Sequence, residues 1–438
     1  MNKNIKLAVA GAVLALSATA NAGIIIPAGD WTVDIGGNLN AYYTNTRFSG
    51  DMESNVTNAP SNKTANTVST GLLPAALGIG AKTRQNDLDV AFQFTFFTGV
   101  DSNSESPVGS GSGHMGSGLG QNNGAGGNSL NIRQAYLTFG DKSWGSVKMG
   151  RDLGVFGSDA ILSDMTLLGV GSGAGGNGNS TLGRIGTGYL YADWVGQVQY
   201  TTPNWNGFQV TAAARQPWAN SANSDLGFDA KAVYSWTGDV SGKVWVGGLS
   251  QKTRTAATTS VSAAQAAQFI VDVAGGDTIA VATAANSTDV AAFSNRANAI
   301  DIGANINIDK ANLVAYYYDG KNMGLGQYVR SNTIASGLGI ESVNGRDRDV
   351  RGGYVQGTYV IPTGTKLGVS YGLSKNDNRA AGDTEFESKS WIVGAYHPLT
   401  KSLNLVAEYI DNKVENNAYV AGFDGKAKTA ALGAILFF

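Results

Sequence analysis

Residues 130–152 read LNIRQAYLTFGDKSWGSVKMGRD, and residues 169–186 read GVGSGAGGNGNSTLGRIG. The first run is two alternating stretches joined at Asp141-Lys142-Ser143. In the leading stretch Arg133, Ala135 and Leu137 fall on one side and Ile132, Gln134 and Tyr136 on the other, an imperfect period of two that fits a wall with one wet and one greasy face. These two strands feed a segment, from Asp152 to about Leu182, that is too long for a turn. Loops beyond about 12–15 residues inside a compact protein are functional or disordered, so this one needs a role.

The rest of the chain has the composition of many short strands. Of 438 residues, 60 are Gly, none is Cys and 15% are charged, against about 25% in ordinary soluble domains. Past the first two dozen residues no apolar run reaches 18, which excludes ordinary membrane-spanning helices. Residues 1–22, MNKNIKLAVAGAVLALSATANA, have Lys3 and Lys6, a short apolar centre from Leu7 to Leu16 and an Ala20-Asn21-Ala22 ending. This is the pattern of a secretory signal peptide cleaved after Ala22, leaving 23–438 as the mature chain. The 31 basic residues, two of them in that leader, face 33 acidic ones, so nothing favours nucleic acid. With no Cys in an exported chain, stability must come from backbone pairing and burial in lipid.

Alternation recurs throughout. It runs from Trp31 to Tyr43, from Leu73 to Thr83, and most regularly from Leu88 to Phe96, where Leu88, Val90, Phe92, Phe94 and Phe96 oppose Asp89, Ala91, Gln93 and Thr95. Further pairs flank Pro203-Asn204-Trp205-Asn206, Thr237-Gly238-Asp239, Asp309-Lys310, Pro362-Thr363-Gly364 and Pro398-Leu399-Thr400, and a last strand runs from about Lys428 to Phe438. The count is sixteen, with short turns at one end and long loops at most of the other. This predicts an all-β fold, a 16-stranded antiparallel transmembrane β-barrel. Aromatic residues gather beside the short turns, among them Phe139, Trp144, Tyr200, Trp205, Tyr234, Trp236, Tyr359 and Tyr396, and are expected to form a headgroup-level girdle. The stretch from Thr253 to Asn298 reads either as a loop insertion or as a hairpin turning at Gly275-Gly276, which would raise the count to eighteen.

The motifs RQAYLTFG (133–140), GSVKMGRD (145–152), GVFGSDAILSDM (154–165) and GRIG (183–186) resemble the general, non-specific porins of Gram-negative outer membranes. That resemblance implies a third loop folded into the barrel, assembly as a homotrimer in outer-membrane lipid, and a second loop, here containing His114, that leans on a neighbouring subunit. It implies a pore constriction at Arg133, Arg184, Asp159 and Asp164. The ending ALGAILFF also resembles the sorting signal of outer-membrane barrels, with Gly433, Leu436 and Phe438 in place.

Enzymatic readings find little support. The two Gly-x-Gly-x-x-Gly matches, at Gly111 and Gly171, lie in Gly-rich loops and open no helix after a strand, so they carry no nucleotide site. Two distant His residues and no Cys give no catalytic triad and no transition-metal site. The expectation is a channel for passive diffusion of ions and small polar solutes, with no enzyme activity and no cofactor. Alternatives are a substrate-selective porin, using Tyr316, Tyr318 and Trp245 in the lumen, and a surface adhesin that conducts nothing. Alternation places Lys82, Arg84, Lys148, Arg215, Lys231, Lys243 and Lys366 inward with Arg133, against Asp34, Asp89, Asp229, Asp301 and Glu408, a slight basic excess. From Met165 to Gly183 there is no charge, and Ala76 stands where many porins carry a further Arg. Phe438→Asp should sharply lower the amount of folded, heat-modifiable barrel in cell outer membranes; assembly at the normal level would show that the terminal Phe is incidental.

Overall fold

The computed structural model describes residues 23–55, 63–100, 131–173, 180–216, 225–255, 258–260, 288–290, 293–323, 348–378, 385–415 and 424–438. Its wall begins with β1 Trp31–Gly50, β2 Ala75–Gln85, β3 Leu88–Thr98, β4 Asn131–Asp141, β5 Gly145–Leu153, β6 Trp194–Thr201, β7 Phe208–Arg215 and β8 Gly227–Trp236. It continues through β9 Val240–Thr255, β10 Phe293–Ile308, β11 Ala311–Lys321, β12 Arg348–Val360, β13 Lys366–Asn378, β14 Phe386–Pro398, β15 Leu403–Glu415 and β16 Asp424–Phe437. Each strand pairs antiparallel with the next, and β16 pairs with β1 from Asn38↔Phe437 to Gly50↔Gly425, closing a 16-stranded barrel. Thr258–Ser260 and Thr288–Val290 form a separate two-stranded ribbon, so the stretch from Thr253 to Asn298 adds no strand to the wall. The turn considered at Gly275-Gly276 lies outside the described residues.

Two short pieces complete the pairing of β1. Ile24–Ala28 runs beside Trp31–Ile35 on the edge that β16 leaves uncovered, and Gly37 and Phe438 exchange backbone hydrogen bonds of 2.8 and 3.1 Å where the two meet. On the other edge Thr64–Ser69 covers the upper half of β1 and β2 the lower half. Between them the chain leaves the ladder at Thr70–Pro74. The Asn40 side chain fills that gap, accepting from Gly71 N at 2.9 Å and donating to Leu73 O at 2.8 Å.

The distribution of side chains is that of a membrane barrel. Leu39, Phe228, Ile300 and Leu432 are 54–65% exposed on the outside, while Asn40, Thr44, Thr46 and Gln93 are buried within. A soluble sheet would do the reverse; in lipid the outer face must be apolar. Asn86 and Asp87, between β2 and β3, both take positive φ, as a two-residue type I′ hairpin turn demands.

The structure explains the imperfect pattern of the β4 sequence. Thr95 pairs with Gln134 and Phe96 with Ile132, so Arg133 is the extra residue of a β-bulge. The bulge resets the parity, letting Ile132, Ala135 and Leu137 all face lipid while Arg133, Gln134 and Tyr136 turn inward. Tyr396, expected in the girdle, also turns inward and is 2% exposed, because its even position on β14 shares a face with Ile392.

At the closing seam, Gly433 of β16 sits opposite Tyr42 of β1. A Cβ on Gly433 would lie 2.4 Å from the Tyr42 ring, which therefore rests on the bare glycine backbone. Gly433→Val should cost about 1–3 kcal/mol through overpacking, measurable as a lowered urea midpoint for refolding in detergent. Phe438→Asp should leave that midpoint nearly unchanged, since its expected effect is on cellular assembly; equal midpoints for Gly433→Val and the parent would remove the packing argument.

Candidate functional site

Between β5 and β6 the chain leaves the wall at Gly154 and returns at Asp193. The described parts, 154–173 and 180–193, lie on the inner face of the barrel, because they bond to inward side chains of β1, β8–β10 and β12–β15. Four grips hold them.

The first is at the root. Gly157 takes a left-handed φ of 74° and opens the short helix Ser158–Leu162, setting Asp159 between Lys231 of β8 at 2.6 Å and Lys243 of β9 at 2.5 Å. Burial alone would raise the Asp159 carboxyl; the two ammonium groups outweigh it and hold the group well below the ordinary carboxylate range. The stabilisation is therefore present above an unfolded pKa of about 4 and is lost only when pH falls through the depressed folded value. Gly157 N adds a hydrogen bond of 3.2 Å to Asp301.

The second grip uses neutral groups of β12. Gln356 accepts from Met165 N at 2.7 Å and donates to Ser163 O at 3.0 Å, and the Tyr354 hydroxyl donates to Ala160 O at 2.8 Å. The third holds the uncharged tip. Glu408 of β15 accepts from Val170 N and Gly171 N, both at 2.9 Å, and from the Tyr396 hydroxyl at 2.6 Å. The Tyr42 hydroxyl donates to Leu168 O at 2.6 Å. A Cβ on Gly169 would stand 2.0 Å from the Glu408 carboxylate, so the approach demands glycine. Leu72 N donates to Gly169 O and Thr181 N to Gly71 O, stitching the loop into the break in the ladder beside β1.

The fourth grip fastens the returning arm. Arg184 Nη1 donates to Ser390 Oγ of β14 at 2.9 Å and to Thr187 O at 3.3 Å, and Gly188 N donates to Ser374 Oγ of β13 at 3.1 Å. Beneath the loop Tyr189, Tyr354, Tyr316 and Trp245 pack ring against ring, with centroids 5.8–6.3 Å apart. Trp245, Tyr316 and Tyr318 are 0–4% exposed, so the aromatic faces considered for a solute are covered.

The four expected constriction residues do not form one cluster. Asp159 serves the root. Asp164 caps the single turn Met165–Leu168, accepting from Thr166 N at 2.9 Å and from the Tyr189 hydroxyl at 2.8 Å; Arg184 N bonds the same hydroxyl at 3.4 Å, so those two residues meet through Tyr189. Arg184 has no exposed surface, because the tight turns at Gly183 and Gly186 fold its guanidinium back on the wall. Arg133, at its bulge, lies 5.0 Å over the Phe97 ring and is 5% exposed.

The other inward cations are mostly paired. Arg84 contacts Asp89 and Asp141, Lys148 contacts Asp152 at 2.5 Å, and Arg215 meets Asp229 at 3.3 Å with neither exposed. Lys366 lies 4.7 Å over the Tyr396 ring, and Lys82 is exposed to the lumen. Sequence reading missed Glu408, Gln356 and Tyr396 as anchors. A signal existed: Glu408 falls between Val406 and Ile410 on one inward face, and a carboxylate between buried apolar neighbours needs donors. Among the described residues no three His, Cys, Asp or Glu side chains gather as a metal site.

The sequence profile of the family described as "Gram-negative porin" matches residues 7–417. The fold is similar to that of OmpF of Salmonella typhi, solved in complex with daunomycin: 16% identity, TM-score 0.56, 95% of this chain and 100% of that one. It is also similar to the outer-membrane channel DcaP of Acinetobacter baumannii, with 14% identity, TM-score 0.55, and 94% and 99% of the two chains covered. OmpT of Vibrio cholerae, an outer-membrane protein in its trimer form, aligns with 16% identity, TM-score 0.53, and 93% and 99% coverage. No curated protein sequence matches.

Glu408→Ala removes the acceptor of two buried backbone amides, a loss of about 1–3 kcal/mol each. The tip should detach, giving a single-channel conductance that is larger and visibly noisy, with fast hydrogen exchange at Val170 and Gly171. A quiet, unchanged conductance would show that the tip is held by other contacts.

Proposed function

Because the chain belongs to the Gram-negative porin family and forms an outer-membrane channel, we propose that it passes ions and small hydrophilic solutes by passive diffusion, without a dedicated solute site. One observation carries the absence of a site: the aromatic faces a sugar would stack on are packed under the loop. An organic acid would need a ladder of free cations, yet Lys231 and Lys243 share Asp159, and Lys148 and Arg215 each face an aspartate. The family and fold are those of a channel rather than an enzyme, and no reaction is assigned.

The working form is a homotrimer, supported by the trimer form of the Vibrio protein, and the leader is removed after Ala22. The Asp152–Leu182 loop narrows the pore, and its neutral tip leaves the transverse field weak. Ion selection rests on Arg133 and exposed Lys82, while Arg184 positions the loop.

Selectivity is thus a slight preference for anions that fades with salt, as the screening length falls from about 10 Å at 0.1 M to about 3 Å at 1 M. Reversal potentials in a KCl gradient test it. Arg133→Ala should move the potential toward cation preference, whereas Arg184→Ala should alter conductance and leave the potential in place. A clear cation preference in the native channel, or saturable block by a sugar or carboxylate, would overturn the reading.

A further inference from the structure

Asp34 lies on the inward face of β1, in the same alternate row as the buried Asn38 and Asn40, near the short-turn end of the wall. It is half-buried, and its Oδ1 has almost no solvent contact and no hydrogen-bond partner. The pairing explains why. On one flank stands Gly80 of β2, which has no side chain, and on the other Ile25, which has no polar one. Lys82, also inward on β2, does not bond that oxygen. A carboxylate oxygen shut away from water without a donor costs free energy, so this one calls for a cation or an N–H group.

Gly23, expected to begin the mature chain, is the residue beside it. A Cβ built on Gly23 would lie 3.0 Å from Asp34 Oδ1, so the Gly23 main chain passes next to the carboxylate and a larger residue would crowd it. While the leader is attached, the Gly23 nitrogen belongs to a neutral peptide bond and offers one N–H. Hydrolysis of the Ala22–Gly23 bond consumes one water, leaves a carboxylate on Ala22 and frees the Gly23 amine. That amine takes up a proton at neutral pH, its ordinary pKa being about 7.7–8.0. The product is a unit positive charge with three donors, about 1.5 Å from the Gly23 Cα.

We propose that Asp34 receives the Gly23 α-ammonium created by leader removal, and that this ion pair clamps the first strand segment to the barrel. The proposal rests on the reading that the leader is cut after Ala22. Little else holds the segment. Ile24–Ala28 is exposed at all five residues, its register partners all lie on β1, and Pro27 has no N–H to give. The turn through Gly29, at a left-handed φ of 63°, ties one end. The other end is a chain terminus, which frays unless something fastens it. The ion pair fastens it, and only after processing, so precursor and mature protein differ in how firmly this edge of β1 is sealed.

The test is acylation of the α-amine in the mature protein purified from outer membranes. Tryptic cleavage at Arg47 after denaturation releases residues 23–47, which contain no Lys, so label on that peptide reports Gly23 alone. Acylation needs the unprotonated amine, and a carboxylate in contact raises an amine pKa by about one or more. At pH 7 the folded protein should therefore react about 10-fold more slowly than the same protein in urea. Asp34→Asn, of equal size, should restore most of the unfolded rate and speed hydrogen exchange across Ile24–Ala28, whereas Asp34→Glu should keep much of the protection. The parent acetylated at Gly23 should exchange there as fast as Asp34→Asn. Equal acylation rates in folded and unfolded parent, slow acylation that persists in Asp34→Asn, or exchange unmoved by acetylation would overturn the proposal; the first and last need no variant to fold. Intact mass is read beforehand: a chain that does not start at Gly23 fails the leader reading and the ion pair with it, whereas a Gly23 start with an unprotected amine fails the ion pair alone.

Discussion

A backbone amide inside a bilayer has no water to bond, and an orphaned one costs several kcal/mol. That constraint reaches every part of this molecule. It requires β16 to close on β1, and it explains why Ile24–Ala28 is laid along the stretch of β1 that β16 does not reach. It also explains Asn40, which substitutes for a strand where the ladder breaks at Thr70–Pro74. Inside the barrel the same rule operates on the long loop. Its backbone pairs with itself only in short turns and bridges, and the groups left over find acceptors and donors in Gln356, Glu408, Tyr42 and Ser374.

Polar side chains on the inner wall thus have a structural use before any functional one. A lumen lined with Lys, Asp and Tyr looks, as a list of residues, like a selective filter. In three dimensions Asp159 bridges two lysines and offsets one of their charges, Arg215 and Asp229 neutralise each other, and the tyrosines form a core between loop and wall. Charge within a barrel can be spent on holding an inner loop against the wall.

The parts legible in the sequence were those where lipid lies on one side and polar surface on the other. Leu88–Thr98 alternates without interruption and was readable as a strand. Where that contrast ends, the signal ends: β9 and β10 run on to Thr255 and back to Phe293, with Ser250, Lys252, Arg296 and Asn298 on their outer face, and alternation reveals neither extension. The bulge at Arg133 was visible only as a flaw in the period. The loop's position was legible from its length and its family motifs, but its anchors were not. A lone inward Glu408 gives no sign that its partners are main-chain amides at Val170 and Gly171, 238 and 237 residues away.

That last contact has a consequence for how such a pore can change. Glu408 recognises the loop tip through main-chain N–H groups, which every residue but proline supplies, and requires only that Gly169 stay small. Substitution of the partly exposed Leu168 side chain therefore leaves the anchor's donors in place, since it contributes none of them. The wall and the tip are uncoupled in mutational space: a lineage can vary a side chain of the loop tip by single substitutions, without a matching change across the barrel.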